Sequence, residues 1–254
     1  MSKAEPNEGN AKLNGLKVLV TRPAGQSASL IETIQAQGGV AHAFPLIEIH
    51  PVSQCSASLS RVNDYDLVIF VSRNAVECAW SFLSVSQLAS SQVAAVGQAT
   101  AAALIQHGHP ADIVPTYRYD SEGLLAMPEL EYVSGKRILI VRGQGGREVL
   151  ANSLRERGAD VDYAEVYQRV PTEQVLTYSS DDIDVIIITS SEALVHLQDI
   201  ARQTGKTWLL AKPLLVIHER IAMRAGELGF KLNPVIAGQA SEAALLDALQ
   251  SMQH

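Results

Sequence analysis

The sequence predicts an α/β protein of two similar lobes, each built on a doubly wound parallel sheet. Three observations lead to this prediction: a long internal repeat, strands that are apolar on both faces, and helices between those strands. Residues 15–22 (GLKVLVTR) return as residues 135–142 (GKRILIVR), 120 positions later. A repeat of this length is the size of a small domain rather than of a solenoid unit. We therefore expect two lobes of similar structure, with a ligand bound in the cleft between them.

The predicted strands are short runs rich in β-branched residues. Residues 67–71 (LVIFV) and 185–188 (VIII) are apolar throughout, which is typical of strands buried on both faces of a parallel sheet. Five strands are predicted in each half of the chain. They fall at residues 17–21, 40–44, 67–71, 93–96 and 111–114, and at residues 137–141, 161–167, 184–189, 213–217 and 234–237.

Helices are predicted between these strands. In residues 27–37 and 148–157 the apolar positions recur every three or four residues, and Gly38 and Gly158 follow as helix stops. The alternation of strand, helix and strand predicts the doubly wound arrangement. Two polar stretches at matching places, residues 53–60 and 177–182, are predicted to be surface loops.

Charge, apolar runs and cysteines argue against several classes of protein. The formal net charge of −7 disfavours general binding to nucleic acids or to membrane surfaces. No apolar run approaches the roughly 18 residues that a membrane span needs. Cys55 and Cys78 form no disulfide framework, so we expect a reduced, cytoplasmic chain. Residues 1–14 lack a signal-peptide pattern and are expected to form a terminal tail.

Candidate binding residues follow the predicted strands. In open parallel sheets, ligands bind beyond the carboxyl ends of the strands, where helix N-termini present free N–H groups. Each serine at this edge is by itself a candidate helix N-cap. Together, the hydroxyls, glycines and arginines indicate a receptacle for oxyanions, because Arg bonds a carboxylate through two parallel N–H groups. The residues concerned are Thr21 and Arg22, Ser72 to Asn74, Arg142 to Arg147, and Thr189 to Ser191.

The glycine-rich loop at residues 143–147 (GQGGR) permits a different interpretation. It follows a strand and opens a helix, as a dinucleotide-binding fingerprint does. The third glycine of that fingerprint would stand at position 148, where the chain has Glu148. A nucleotide-dependent enzyme that uses this loop is therefore a weaker alternative.

For the histidines and for Tyr167, the sequence permits both a purely structural and a functional interpretation. His107 and His109 flank Gly108 in a turn with no third ligand nearby, so we expect no metal site. His218 lies at the same strand-end edge as the serines and arginines, where a ligand role and a helix start are both open. Tyr167 lies in an extended run, and its phenol could donate a proton or a hydrogen bond to a ligand. A packed strand tyrosine is the alternative.

Taken together, these residues resemble the uroporphyrinogen-III synthase family from Leu16 to Leu249. The order and spacing of the motifs carry the resemblance, because no single motif is decisive. The motifs are Thr21-Arg22-Pro23, Phe44-Pro45, Ser72-Arg73-Asn74-Ala75-Val76, Val96-Gly97-Gln98-Ala99-Thr100-Ala101, Ser121-Glu122-Gly123-Leu124, Arg142-Gly143 with Arg147, Val166-Tyr167 and Ser190-Ser191.

The resemblance implies a segment-exchanged, two-lobed architecture that is offset from the sequence repeat. One lobe would combine residues 1–41 with residues 172–254, and the other would comprise residues 50–164. Residues 42–49 and 165–171 would form a two-stranded linker between the lobes.

The resemblance also implies a reaction. Family members cyclise the linear tetrapyrrole hydroxymethylbilane to uroporphyrinogen III, with loss of water and inversion of the last ring, which makes them hydro-lyases of tetrapyrrole biosynthesis. Departure of the hydroxyl group needs a proton donor but no cofactor, and Tyr167 matches the family tyrosine that is thought to assist it.

The eight substrate carboxylates suit an edge of hydroxyls and arginines. The expected contacts are Arg22, Ser72, Asn74, Thr100, Arg142, Arg147, Ser190, Ser191 and Arg220.

One segment departs from the family pattern. At residues 216–222 (VIHERIA), where many relatives have small hydroxyl residues or glycine, we expect Arg220 to supply a carboxylate partner instead. The implied partners are the small-molecule substrate and, transiently, the preceding deaminase, with the protein a monomer. The alternative from another class is a two-lobed binding or sensor protein that closes on a small anion without chemistry. Turnover separates the two hypotheses.

Overall fold

The computed structural model describes residues 12–52 and 56–253. The predicted terminal tail therefore falls largely outside the described residues, as do positions 53–55 of the loop predicted at residues 53–60. Leu13 is fully buried and its N–H donates to the carbonyl of Gln37, so the prediction of a tail as far as residue 14 is wrong at its end. Residues Ser56–Leu59 form a short helix where only loop was predicted.

Strands and helices alternate through most of the described chain. The strands are β1 (Lys17–Val20), β2 (Val40–Ala43), β3 (Ile47–Pro51), β4 (Leu67–Phe70), β5 (Gln92–Ala95), β6 (Arg137–Gly143), β7 (Asp160–Pro171), β8 (Val185–Ile188), β9 (Leu214–Val216) and β10 (Val235–Ile236). The helices are α1 (Ala28–Ala36), α2 (Ser56–Leu59), α3 (Arg73–Ala79), α4 (Gln98–Gln106), α5 (Ser121–Leu125), α6 (Val149–Glu156), α7 (Ser191–Gln203), α8 (Glu219–Glu227) and α9 (Glu242–Ser251). None of these helices is both long and apolar enough to cross a membrane.

The chain divides into two compact units. The first contains the chain up to Glu48 and from Val170 onward, and the second is the continuous segment Ile49–Arg169. The units therefore do not coincide with the two halves of the sequence repeat. The assignment of residues 42–49 and 165–171 to a separate linker stays a prediction.

The first unit is built on a five-stranded sheet in the order β10-β9-β8-β1-β2, with every pair parallel. The residues of its central strand, Val185 to Ile188, are all buried, as the uninterrupted apolar run predicted. A strand covered by helices on both faces has no polar side to present to water. The fold class expected from the sequence is confirmed in this unit.

The second unit has a five-stranded sheet in the order β3-β7-β6-β4-β5, in which β7, β6, β4 and β5 run parallel. The two faces of β4 feed two different apolar clusters, with Val68 and Phe70 in one and Leu67 and Ile69 in the other. This division follows from the alternation of side chains along a strand. Both faces of the sheet are therefore buried, which again confirms the predicted fold class.

One strand prediction is wrong because of proline. The strand predicted at residues 111–114 is reduced to a single bridge between Ile113 and Ala94. Pro110 and Pro115 flank it, and proline has no N–H with which to extend a ladder. The strand predicted at residues 40–44 is present as β2, which ends before Pro45.

The predicted helix stops are confirmed. Gly38 and Gly158 follow α1 and α6 with φ angles of +79° and +87°. This left-handed conformation costs glycine little and closes the last helical turn.

Candidate active site

The carboxyl ends of three adjacent strands of the second unit bring predicted site residues together. Ser72 follows β4, Arg142 lies near the end of β6, and Tyr167 lies on β7. The hydroxyl of Ser72 caps α3 by accepting the N–H of Ala75 at 3.1 Å, so the predicted N-cap is confirmed. The same oxygen lies 3.2 Å from the phenolic oxygen of Tyr167.

Tyr167 is the largest of the fully buried side chains, with 1% of its surface exposed. Its phenolic oxygen contacts Ser72 and also accepts a hydrogen bond of 3.0 Å from Arg169, whose guanidinium lies 5.3 Å from the ring centre. Because Arg169 can only donate, the phenolic O–H proton remains available to Ser72 or to a ligand. Tyr167 is thus both a packed strand tyrosine and a positioned donor, and the two interpretations of the sequence are compatible.

Arg169 is a residue that the sequence analysis missed. It is exposed, and it forms no ion pair with any of the described residues. A signal for it was present, because residues two apart on a strand point to the same face, which places Arg169 on the same side of β7 as Tyr167. Because no carboxylate of the described residues pairs with its charge, Arg169 is a further candidate to bind a substrate carboxylate.

The Gly143–Arg147 loop is organised around the guanidinium of Arg142, which is 5% exposed. This guanidinium donates to the carbonyl oxygens of Gly143 and Gly145 and to the carboxylate of Glu148. It also lies 4.7 Å from the centre of the Tyr163 ring. A phosphate cradle needs N–H groups that converge on the ligand, whereas here carbonyl oxygens converge on a cation. The geometry therefore gives no support to the nucleotide-dependent alternative.

Two carboxylates near this loop carry an altered pKa. The pKa of Glu148 is lowered from its ordinary value of 4.5, chiefly because the hydroxyl of Tyr163 donates to it, with a further bond from Arg142. The pKa of Tyr163 is raised in turn, first by burial and then by that same hydrogen bond. Glu122, at the start of α5, has a lowered pKa because Arg147 donates to it. Arg147 is therefore present as a predicted site residue, but it is paired with Glu122.

A pocket of about 170 Å³ opens at this edge of the sheet. This volume is below the roughly 300–1,000 Å³ of most complete small-molecule sites, so the pocket can receive only part of a large ligand. Three arginines and two tyrosines contribute to a wall that suits an anionic, ring-bearing group. The pocket is lined by Val71, Ser121, Ile140, Arg142, Gly143, Gly145, Gly146, Arg147, Leu150, Ala151, Tyr163, Tyr167 and Arg169.

The remaining candidates of the second unit lie at the starts of two helices. Asn74 is half-buried in the first turn of α3, close in sequence to Ser72. Thr100 is buried, with 4% exposure, in the first turn of α4, and its N–H donates to the carbonyl of Gly97. Neither lines the pocket around Tyr167. Their predicted contacts with substrate stay predictions.

Arg22 follows β1 in the first unit and is unusually placed for a cation. Burial lowers the pKa of its guanidinium, an effect that the carboxylate of Glu242 partly opposes. Its Nε is buried and forms no hydrogen bond with the described residues. Glu242 is itself engaged with the hydroxyl of Ser29 at 2.8 Å. An N–H group left in this state is stabilised when a carboxylate ligand reaches it.

The other candidates of the first unit follow β8 and β9, which are neighbours in its sheet. Ser190 caps α7 by accepting the N–H of Ala193 at 3.0 Å, and Ser191 is the first residue of that helix. His218 occupies the N-cap position of α8 without a side-chain capping bond, and Arg220 is exposed in the first turn. Arg22, Ser190 and Arg220 thus follow three adjacent parallel strands, as the sequence predicted for strand-end residues.

Comparison with known proteins identifies the family to which this chain belongs. The family model described as "Uroporphyrinogen-III synthase HemD" matches residues 28–247. The chain belongs to the uroporphyrinogen-III synthase family. The resemblance inferred from the motifs is thereby confirmed. Among curated relatives, uroporphyrinogen-III synthase of Escherichia coli (strain K12) is 36% identical over 247 residues, which cover 92% of this chain and 100% of that protein. The synthase of Salmonella typhimurium (strain LT2) is 35% identical over the same length and coverage.

Solved structures agree on the fold. A mutant uroporphyrinogen III synthase from the extremely thermophilic bacterium Thermus thermophilus aligns with a TM-score of 0.60 at 17% identity, covering 94% of this chain and 99% of that one. A uroporphyrinogen-III synthetase from Helicobacter pylori 26695 also gives a TM-score of 0.60 at 17% identity, with 93% and 99% covered. At this identity the likeness concerns the fold. The comparisons do not favour the alternative of a binding or sensor protein.

Proposed function

We propose that this protein is a dehydrating cyclase, a hydro-lyase that converts hydroxymethylbilane to uroporphyrinogen III in haem biosynthesis. The observation that supports this most strongly is the family membership over residues 28–247. It is joined by the buried phenol of Tyr167, which lines a pocket together with three arginines. Enzymes of this family act on a substrate with eight carboxylates. A surface that offers arginines and helix N-termini at the ends of parallel strands suits such a polyanion.

Tyr167 supports the first chemical step of this proposal. The hydroxyl group of the substrate leaves as water once it has received a proton, which the phenol supplies, and an azafulvene cation remains. The phenol can fill that role because Arg169 donates to its oxygen, so that the phenolic O–H proton is still available for donation to the substrate. The hydroxyl of Ser72 lies within hydrogen-bond distance of the same oxygen. In the proposed step, the departing hydroxyl group takes the place of the Ser72 hydroxyl as the hydrogen-bond partner of the phenol.

The remaining steps need positioning more than chemistry. The last ring attacks through its substituted carbon, and the resulting spiro intermediate fragments and recloses with that ring inverted. Loss of a ring proton then restores the proton count, so that water is the only other product. Because cyclisation without an enzyme gives the unrearranged isomer, the protein must hold the linear chain in one geometry.

The substrate carboxylates provide the means of holding it. We assign them to the hydroxyls, amides and cations at the strand ends, with Arg22 and Arg169 the strongest candidates because neither guanidinium has an ion pair among the described residues. Arg147 would have to exchange Glu122 for a substrate carboxylate. Arg142 stays outside this set because each of its three guanidinium nitrogens already donates to a group of the protein. The further proposed contacts are Ser72, Asn74, Thr100, Ser190, Ser191 and Arg220.

A cytoplasmic location, a monomeric state and a transient contact with the preceding deaminase belong to the same proposal. The cytoplasmic location is proposed from the reduced character expected of the chain, and the contact with the deaminase from the instability of the bilane. Direct transfer from the deaminase would protect the bilane, which otherwise cyclises by itself.

An isomer assay tests the proposal. Hydroxymethylbilane is generated freshly by a deaminase and given to the protein, and the products are oxidised and separated by chromatography. We expect mainly type III uroporphyrin, against type I in the protein-free control. Type I alone in both samples would remove the proposed function and return the chain to the binding-protein hypothesis.

A further inference from the structure

We propose that Arg142 is a positioning residue: together with Glu148 it clamps the Gly143–Arg147 loop against Tyr167, and it does not bind a substrate carboxylate. This inference rests on the proposed function, because Tyr167 is the group whose position it explains. It departs from the expectation drawn from the resemblance, which counted Arg142 among the substrate contacts.

Each nitrogen of the Arg142 guanidinium donates a hydrogen bond within the protein. Nε donates to the carbonyl of Gly143 at 3.2 Å, Nη1 to the carboxylate of Glu148 at 2.9 Å, and Nη2 to the carbonyl of Gly145. One face of the guanidinium is covered by the Tyr163 ring, 4.7 Å away. Each of the three nitrogens therefore holds an internal bond, which takes three of the five N–H groups, and only 5% of the residue is exposed to a substrate carboxylate.

The loop that Arg142 holds touches Tyr167 in two ways. The N–H of Gln144 donates to the carbonyl of Tyr167 at 2.7 Å. Gly143 is the strand partner of Tyr167, after an irregularity in the β6–β7 register, and the tyrosine ring packs directly over its Cα. A shift of the loop must therefore move both the backbone and the ring of Tyr167. Displacements on the order of 1 Å can cost about a hundredfold in rate.

Glu148 completes the clamp and gives it a test. Its carboxylate accepts bonds from both Arg142 and Tyr163, which fix its position although half of its side chain is exposed. The two roles for Arg142 predict opposite results when Glu148 is removed. If Arg142 binds substrate, loss of its internal partner frees the cation and tightens binding. If Arg142 is a clamp, the loop loosens and turnover suffers.

The experiment compares Glu148→Ala, at the N-cap position of α6, with Glu156→Ala, which removes the same charge from an exposed position at the other end of that helix. For Glu148→Ala we expect kcat to fall roughly 10- to 100-fold, KM to stay within about twofold of the unchanged protein, and the share of type I product to rise. We expect Glu156→Ala to leave all three quantities unchanged. A lower KM with unchanged kcat in Glu148→Ala would overturn the proposal, and so would a kcat equal to that of the control.

Arg142→Lys gives a second kinetic test. Lysine keeps the positive charge but cannot donate in three directions from one rigid plane. The clamp therefore predicts a loss of kcat in Arg142→Lys similar to that in Glu148→Ala. Activity close to that of the unchanged protein in Arg142→Lys would show that charge alone suffices, which contradicts a clamp.

A readout besides activity separates this inference from the proposed function. Amide hydrogen exchange, followed by mass spectrometry on peptides that contain Gln144, should be faster in Glu148→Ala and unchanged in Glu156→Ala. If exchange accelerates but the unchanged protein makes no type III product, the proposed function fails while the clamp stands. If exchange at Gln144 is the same in both variants, the clamp is refuted whatever the activity.

Discussion

Gly143 and Tyr167 face each other across β6 and β7 at a distance that excludes any side chain on the glycine. A Cβ added to Gly143 would stand 2.5 Å from Cε2 and 2.6 Å from Cζ of Tyr167. Real carbon atoms do not approach so closely, so the ring of residue 167 leaves no room for a side chain at position 143. The sequence pattern Arg142-Gly143 is thereby explained by packing beneath the phenol rather than by a phosphate-binding loop.

Gly143→Ala should therefore displace the ring of Tyr167. We expect the free energy of unfolding to fall by about 1–3 kcal/mol, as is usual for overpacking, and kcat to fall with it. Chemical denaturation and the isomer assay measure the two effects. Gly226→Ala is the control, because its Cβ would meet no atom within 4 Å and it lies in helix α8, where alanine is about 0.5–1 kcal/mol more favourable. A Gly143→Ala protein as stable and active as the unchanged one would contradict the packing argument.

Tyr167→Phe tests the hydroxyl group without removing the ring. We expect kcat to fall by roughly tenfold to a hundredfold, at or below the lower end of the usual contribution of a general acid. The loss should be partial because positioning carries most of the effect. The measurement is the initial rate of type III formation, with Tyr132→Phe, an exposed tyrosine of the same unit, as the control. Equal rates in the two variants would remove Tyr167 from the mechanism.

Arg22→Met tests the cation of the first unit. Since the buried Nε of Arg22 has no bonding partner among the described residues, its loss breaks no hydrogen bond of that nitrogen. The free energy of unfolding should be unchanged or raised, because methionine avoids the cost of burying an N–H group that has no hydrogen-bond partner. We expect KM to rise roughly 10- to 100-fold, the effect of one charged hydrogen bond of about 1.5–3 kcal/mol, with little change in kcat. Arg202→Met, an exposed position on α7, is the control. A loss of stability with unchanged KM would assign Arg22 a structural role instead.

Glu148 should make stability depend on pH in the acidic range. Its pKa in the folded protein is lowered below 4.5, so its contribution is present above pH 4.5 and is lost as the pH falls toward the folded pKa. The difference in unfolding free energy between the unchanged protein and Glu148→Ala should shrink over that range. Denaturation curves at pH 7 and below pH 4.5 measure it.

The Tyr163→Phe background supplies the control for this pH dependence. The hydroxyl of Tyr163 is the first cause of the lowered pKa of Glu148, so its removal should reduce the change with pH. A difference that stays constant from pH 7 to the acidic range in the unchanged background would show that the Glu148 bonds do not contribute to stability.

Much of the fold and part of the site could be predicted from the sequence. Uninterrupted apolar runs predicted buried parallel strands, and the positions of Ser72 and Ser190 after such runs predicted the two N-caps that the structure contains. These signals are local, because they depend on periodicity and on the first turn of a helix. The strand expected at residues 111–114 is only a single bridge, because the flanking prolines limit the ladder. Here the local effect of proline outweighed the β-branched composition of the segment.

The roles of the arginines could not be predicted in the same way. In sequence, Arg22, Arg142 and Arg147 are all cations that follow or end a strand. In the structure, one has a buried Nε without a partner among the described residues, one clamps a loop through carbonyl oxygens, and one is paired with Glu122. Which donors are engaged depends on residues far along the chain and on the exact path of a loop, and neither is encoded in spacing.

The sequence by itself determined the α/β class, the strand-end location of the candidate residues and the family, because side-chain periodicity and motif order suffice for each. The tertiary structure decided which segments share a sheet, since β1 and β2 belong to one sheet with strands from the other end of the chain. It also decided that Arg169 joins Tyr167, that Gly143 must remain a glycine, and that Arg142 faces inward. These outcomes depend on contacts between separate strands and loops, whose energies are set by packing and by hydrogen-bond geometry in three dimensions.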